Sequence, residues 1–98
     1  MTSPLPKERR IRNPKYMETV RELPCLACRH PWNIDAHHVR IAQASSTGMK
    51  VGDNWVVPLC RPCHTELHTY GDEGDFWLGV DRDPLKWAEN NWKEYRNG

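Results

Sequence analysis

Cys60-Arg61-Pro62-Cys63-His64-Thr65-Glu66-Leu67-His68 places two thiols and two imidazoles within nine residues. Cys60 and Cys63 are separated by two residues, the spacing of one half of a zinc site. His64 and His68 lie four apart, so a helix through them stacks both rings on one face. Cys63 and His64 are neighbours, and a helix turns them about 100° from one another. One short helix can therefore serve two centres, with thiols at its start and imidazoles along its flank. Pro62 suits the first turn of that helix, and Gly71 predicts its end after Tyr70.

Working outward, the cysteine pair has a counterpart in Cys25-Leu26-Ala27-Cys28, with 31 residues between Cys28 and Cys60. Four cysteines complete a closed tetrahedral zinc site, so Cys25, Cys28, Cys60 and Cys63 are its expected ligands and His30 is read as a loop residue. A small domain often needs such a metal staple. Three other readings compete. Disulfides suit an oxidising compartment, and no secretion signal precedes the pairs. A thioredoxin-like redox motif needs a βαβ context that the sequence lacks. Cys60-Arg61-Pro62-Cys63-His64 also matches the attachment motif of c-type haem, which would leave Cys25 and Cys28 without a role.

The flanks supply element boundaries. Asn13-Pro14 reads as a helix cap followed by its first residue. Tyr16, Met17 and Val20 then face the core, and Pro24 stops the helix. Ile34 to Ile41 has the branching of a strand. Alternation puts Asp35, His37, Val39 and Ile41 on one face and Ala36, His38 and Arg40 on the other. Gln43 to Gly52 is a polar loop and Asp53-Asn54 a turn. Trp55 to Leu59 is a second strand that delivers the chain into Cys60. Gly71 to Asp75 reads as an acidic turn and Phe76-Trp77-Leu78 as a short helical piece. Asp83-Pro84 repeats the cap signal, and Leu85, Ala88, Trp92 and Tyr95 line one face of a last helix.

The chain has 98 residues and a formal net charge of +1, with five Trp against one Phe. The charge is unevenly divided: residues 1–50 carry nine Lys/Arg and four Asp/Glu, residues 51–98 five and nine. The basic half suits a polyanionic partner, although a merely solvated surface has the same composition. Residues 1–12 are read as a flexible basic arm carrying Lys7, Arg9, Arg10 and Arg12, and residues 13–98 as one domain. The expectation is a cytoplasmic chain, since no stretch is long enough to span a membrane.

His37-His38 on the first strand, Asn54 opening the second, and Cys60 to His68 on strand end and helix together resemble the HNH endonucleases. The resemblance covers about Cys25 to His68; the continuation to the C-terminus is similar to small HNH proteins carried by phages and prophages, which would place it in a host-cell cytoplasm. It implies an α+β fold: a ββα-metal core with zinc knuckles, flanked by an N-terminal helix and C-terminal helices. It also implies that His37, His64 and His68 ligate a catalytic metal, that His38 is the general base activating water, and that Asn54 helps hold that base. DNA is the partner it implies, and nothing in the sequence identifies a recruiting protein.

The chemistry agrees with that implication. Phosphodiester hydrolysis needs a cation on the phosphate oxygens and a base titrating near neutral pH, where unperturbed His lies at about 6.5. Adjacent histidines on opposite strand faces suit a ligand and a base approaching phosphorus from different sides. Imidazole ligands leave the metal open among Mg, Mn, Zn, Ni, Co and Fe. Arg40, Arg61 and Lys50 are the expected phosphate contacts. The competing function is a non-catalytic zinc module for nucleic acid or protein. Such a module needs the four cysteines but has no use for His37, His38, Asn54, His64 and His68 together.

Overall fold

The computed structural model describes residues 11–42 and 51–98. Four helices surround a two-stranded antiparallel sheet, an α+β arrangement: α1 (Pro14–Arg21), β1 (Ile34–His38), β2 (Val56–Cys60), α2 (Arg61–Tyr70), α3 (Glu73–Val80) and α4 (Pro84–Asn97). The basic arm falls almost wholly outside the described residues, as does Lys50.

Caps written into the sequence set the helix starts. The Asn13 side chain accepts from the Tyr16 N–H at 3.0 Å, with Pro14 as the first helical residue. Asp83 accepts from the Lys86 N–H in the same way ahead of Pro84. Gly71 ends α2 at φ 94°, a conformation open to glycine but strained for other residues. The acidic stretch behaves differently from its reading as a turn. Asp72 accepts from the Asp75 N–H, so α3 begins at Glu73 and takes that residue into its first turn.

Both strands are shorter or shifted relative to their sequence signals. Pairing runs from Ile34 opposite Cys60 to His38 opposite Val56. The Val39 N–H then donates to the Trp55 carbonyl at 2.9 Å, and the chain closes into a 3-10 turn over Arg40–Ala42. Asp53–Trp55 is a second 3-10 turn, so β2 starts at Val56 and ends at Cys60.

All five residues of β2 are buried. Val57 and Leu59 pack with Leu67, Phe76, Trp77 and Ala88 on one side. Val56 packs on the other with Tyr16 and Val20 of α1. The Tyr16 ring meets Trp92 of α4 edge-on at 4.9 Å, and Asn91 donates to its hydroxyl at 3.0 Å. Of the line expected along α4, Ala88 is fully buried while Tyr95 sits at the rim. Pro58 is tolerated mid-strand because both strands of a two-stranded sheet are edges. Register and alternation together place Asp35 and His37 on the α2 side of the sheet and Ala36 and His38 on the α1 side. Among the described residues no helix is long and apolar enough to cross a membrane.

Candidate metal centre

Cys25 and Cys28 lie on a tight turn before β1, Cys60 ends β2, and Cys63 stands in the first turn of α2. Their four sulfurs all lie within 4.8 Å of one another. The Cys28 and Cys60 sulfurs are 3.7 Å apart; a tetrahedron with Zn–S bonds near 2.3 Å has an edge of about 3.8 Å. The turn is shaped for this. Arg29 adopts φ 70°, its N–H donates to the Cys25 carbonyl at 2.8 Å, and the Cys28 N–H points at the Cys25 sulfur at 3.4 Å. The Leu26 N–H donates to the Pro58 carbonyl at 2.8 Å, docking the turn onto β2.

Charge explains why these thiols suit a cation. Burial pushes the Cys25 thiol up, but the backbone N–H groups of Cys60, Cys28 and Ala27 outweigh it and bring it down to about 7. Burial and the neighbouring cysteines push Cys63 well up, and burial raises Cys60. Four sulfurs so close together can all be anionic only with positive charge among them. The donor set, spacing and charge therefore fit a metal ion such as zinc. His30 stands exposed on the following loop, and its carbonyl accepts from the Cys25 N–H.

The second cluster is built from imidazole–carboxylate pairs. His37 is 4 % exposed. Its Nε2 meets Glu73 Oε2 at 2.8 Å, and its Nδ1 meets His64 Nε2 at 3.0 Å. The other nitrogen of His64, Nδ1, meets Asp35 Oδ2 at 3.0 Å. His38 points away from both, with its Nε2 on Asp53 Oδ1 at 2.9 Å. The second oxygen of Asp53 accepts the Asn13 N–H at 2.7 Å, and the Asp53 N–H donates to the Ile11 carbonyl. His68 follows His64 by one turn of α2. Its ring centre is 4.8 Å from that of His64 but 6.2 Å from that of His37. Among the described residues the cysteines are the one group of three or more whose ligand atoms all come within 4.8 Å.

Burial pushes the Glu73 carboxyl up. Hydrogen bonds from His37, Trp77 and the Arg40 backbone outweigh it and hold the group below the usual carboxylate range. Asp35 is likewise lowered against its burial, by His64 and Arg61. Both are thus carboxylates, which accept hydrogen bonds.

Of the residues singled out in the sequence, His37 and His64 meet directly and His68 flanks them. Asp53, rather than Asn54, holds His38. The 3-10 turn explains the difference: neighbouring residues there diverge by about 120°. Asn54 folds over Gly52 instead, where an added Cβ would come within 2.7 Å of the Asn54 Oδ1 and 3.2 Å of the Ile11 nitrogen. Arg40 is exposed and contributes its backbone N–H to Glu73 at 3.1 Å. Arg61 forks toward Asp35 at 3.2 and 3.4 Å.

Three carboxylates escaped the sequence reading: Asp35, Asp53 and Glu73. Strand parity places Asp35 beside His37 and was signal enough to find it. Asp53 and Glu73 sat in stretches read as turns, and their partners are 15 and 36 residues away.

A family model, DUF968, described as a protein of unknown function, matches residues 3–76. That span takes in all four cysteines, the histidines and their three carboxylates. The chain is 43% identical over 65 residues to the uncharacterized protein YdfU of Escherichia coli (strain K12), across 66% of this chain and 18% of that protein. It therefore spans under a fifth of the length of that relative. No solved structure matches the chain.

Proposed function

We propose that this chain, which belongs to the DUF968 family of proteins of unknown function, is a metal-dependent endonuclease of the HNH type. In this reading β1, β2 and α2 form the ββα-metal core, and Cys25, Cys28, Cys60 and Cys63 hold a structural zinc. One observation carries it: His37 Nδ1 and His64 Nε2 face each other at 3.0 Å. Glu73 and Asp35 take the far nitrogen of each ring, so both facing nitrogens present lone pairs. Two lone pairs at that distance repel one another, and a cation between them removes the repulsion. The edge of a tetrahedral site with Zn–N bonds of 2.0–2.1 Å is about 3.3 Å, close to the spacing found. His68, one turn along α2, is the third ligand in this reading.

A divalent cation held there supplies Lewis acidity toward a phosphate oxygen and the leaving oxygen. His38 sits on the opposite strand face, and its side chain is 35% exposed. With Nε2 on Asp53, its Nδ1 is left to accept a proton from water. The water oxygen bonds phosphorus as the bond from phosphorus to the leaving oxygen breaks, and that oxygen takes its proton from solvent. DNA is the substrate, in keeping with the nine Lys/Arg of residues 1–50 and with the basic Arg40 and Arg61 near the histidines. The rival, a non-catalytic zinc module, is favoured by the tighter geometry of the cysteines.

The test is supercoiled plasmid incubated with zinc-loaded protein and one divalent metal at a time. Nicking is expected with the wild type. His38→Ala should lose ~10²–10⁴ in rate, as loss of a positioned base does, while retaining the second metal. Equal nicking by the wild type, His38→Ala, His37→Ala and His64→Ala would assign the cleavage to a contaminant and leave the binding module as the better reading.

A further inference from the structure

Glu73 lies beyond the β1–β2–α2 unit, at the start of α3, yet it makes the shortest contact to the histidine pair. Its side chain is 8% exposed, and three donors converge on it. Oε2 accepts from His37 Nε2 at 2.8 Å and from Trp77 Nε1 at 3.0 Å, and Oε1 accepts the Arg40 N–H at 3.1 Å. An acid in the first turn of a helix ordinarily faces water and the helix dipole. This one is turned inward; Trp77 Nε1–H and the Arg40 N–H can only donate toward it, which leaves it an acceptor for the His37 ring. Its position is over-determined: Trp77, one turn on along α3, fixes it from one side, and the turn after β1 fixes it from another.

We infer that Glu73 is a positioning residue for the metal pair, locking His37 as its Nε2–H tautomer so that Nδ1 is the atom presented to His64. This rests on the metal-site reading above. It makes α3 part of the working centre. Without an acceptor at Nε2, the proton of neutral His37 can move to Nδ1, which would place an N–H where a ligand lone pair is needed. A carboxylate behind a ligating imidazole also raises its basicity and holds its plane. Gln is an informative replacement. Its one carbonyl oxygen can serve His37 and Trp77, but its NH₂ group must then face the Arg40 N–H, two donors with nothing to accept.

The experiment is nickel binding by calorimetry to the zinc-loaded 98-residue chain, comparing wild type, Glu73→Gln and Asp72→Ala. Asp72→Ala removes the α3 cap, whose partner is the Asp75 N–H, and loosens the helix without touching His37. Glu73→Gln should weaken nickel binding by ~10–100-fold, the usual effect of losing such an outer partner. Asp72→Ala should bind as the wild type does. Equal affinity in Glu73→Gln and wild type overturns the inference while leaving the nuclease reading intact. Absence of any second metal in the wild type overturns both. A readout independent of folding variants is the ¹⁵N shift pattern of His37 in zinc-loaded wild type before nickel is added. The Nε2–H tautomer supports the inference, and the Nδ1–H tautomer overturns it.

Discussion

The cysteine and histidine clusters share the β2–α2 junction, yet they are built in different ways. The cysteines come from one tight turn, before β1, and from the end of β2 and the first turn of α2. Backbone N–H groups shape the turn, and all four sulfurs already lie within 4.8 Å of one another. Nothing is left open. The imidazoles come from a strand and a helix, each braced from behind by a carboxylate, and His68 stands back at 6.2 Å from His37 between ring centres. A closed set of donors is what a structural metal needs, and a braced but incomplete set is what an exchanging or reacting metal needs. Adjacent residues, Cys63 and His64, belong to different clusters because a helix turns them onto different sides.

The largest expected effect lies on the cysteine side. Cys60 is 2 % exposed and ends the fully buried strand. Apparent zinc binding free energies of ~10–16 kcal/mol in small zinc domains exceed the stability of an ordinary domain, so ligand loss there is loss of fold. Cys60→Ala should therefore give a chain without a cooperative thermal transition, and a strong chelator should do the same to the wild type. A folded Cys60→Ala protein with native circular dichroism would dissolve the contrast between the two clusters.

The histidine side predicts affinity changes in a folded protein. His37→Ala removes one of the two facing nitrogens and should weaken second-metal binding by more than the ~10–100-fold typical of an outer partner. His68→Ala should cost less than His37→Ala, because its ring lies farther from the meeting point. Thermal midpoints of the zinc-loaded proteins should stay near wild type in both. Calorimetry with nickel or cobalt measures this directly. Equal losses in the two variants would mean that His68 closes on the metal as tightly as His37 does, and the histidine cluster would then be closed when loaded.

These two clusters were unequally legible in the sequence. Cys-x-x-Cys spacing is local, and so are the Asn13, Asp83 and Gly71 signals that bound α1, α4 and α2. His64 and His68 were legible as a pair through helical spacing, and His37 was joined to them through the family resemblance. Their braces were not, because a carboxylate's partner is chosen by packing. Glu73 reaches His37 because α3 begins at Glu73, three residues before the helical piece expected from Phe76, and because Trp77 then fixes its side chain. The strand ends failed for a related reason. Val39-Arg40-Ile41 has strand-like branching, and the Val39 N–H still meets the Trp55 carbonyl in register, but the Trp55 N–H turns to Gly52 instead of returning the bond and the Arg40 N–H goes to Glu73. That same departure makes Asp53, not Asn54, the neighbour of His38.

The smallest effect sharpens the contrast from the solvent side. Arg61 is 69% exposed and forks to Asp35, which also braces His64. Removing the guanidinium leaves the Asp35–His64 contact in place, and an exposed ion pair is worth ~0–1 kcal/mol. Arg61→Ala should thus leave the thermal midpoint and second-metal affinity nearly unchanged. If Arg61 also meets DNA phosphates, the same variant should weaken binding across sequences and reduce the slope of log affinity against log salt by ~1, the signature of one lost phosphate contact. Fluorescence anisotropy with a labelled duplex across a salt series measures that slope. A fall in metal affinity with an unchanged slope would make Arg61 a brace for Asp35, and the histidine cluster would then extend to the protein surface.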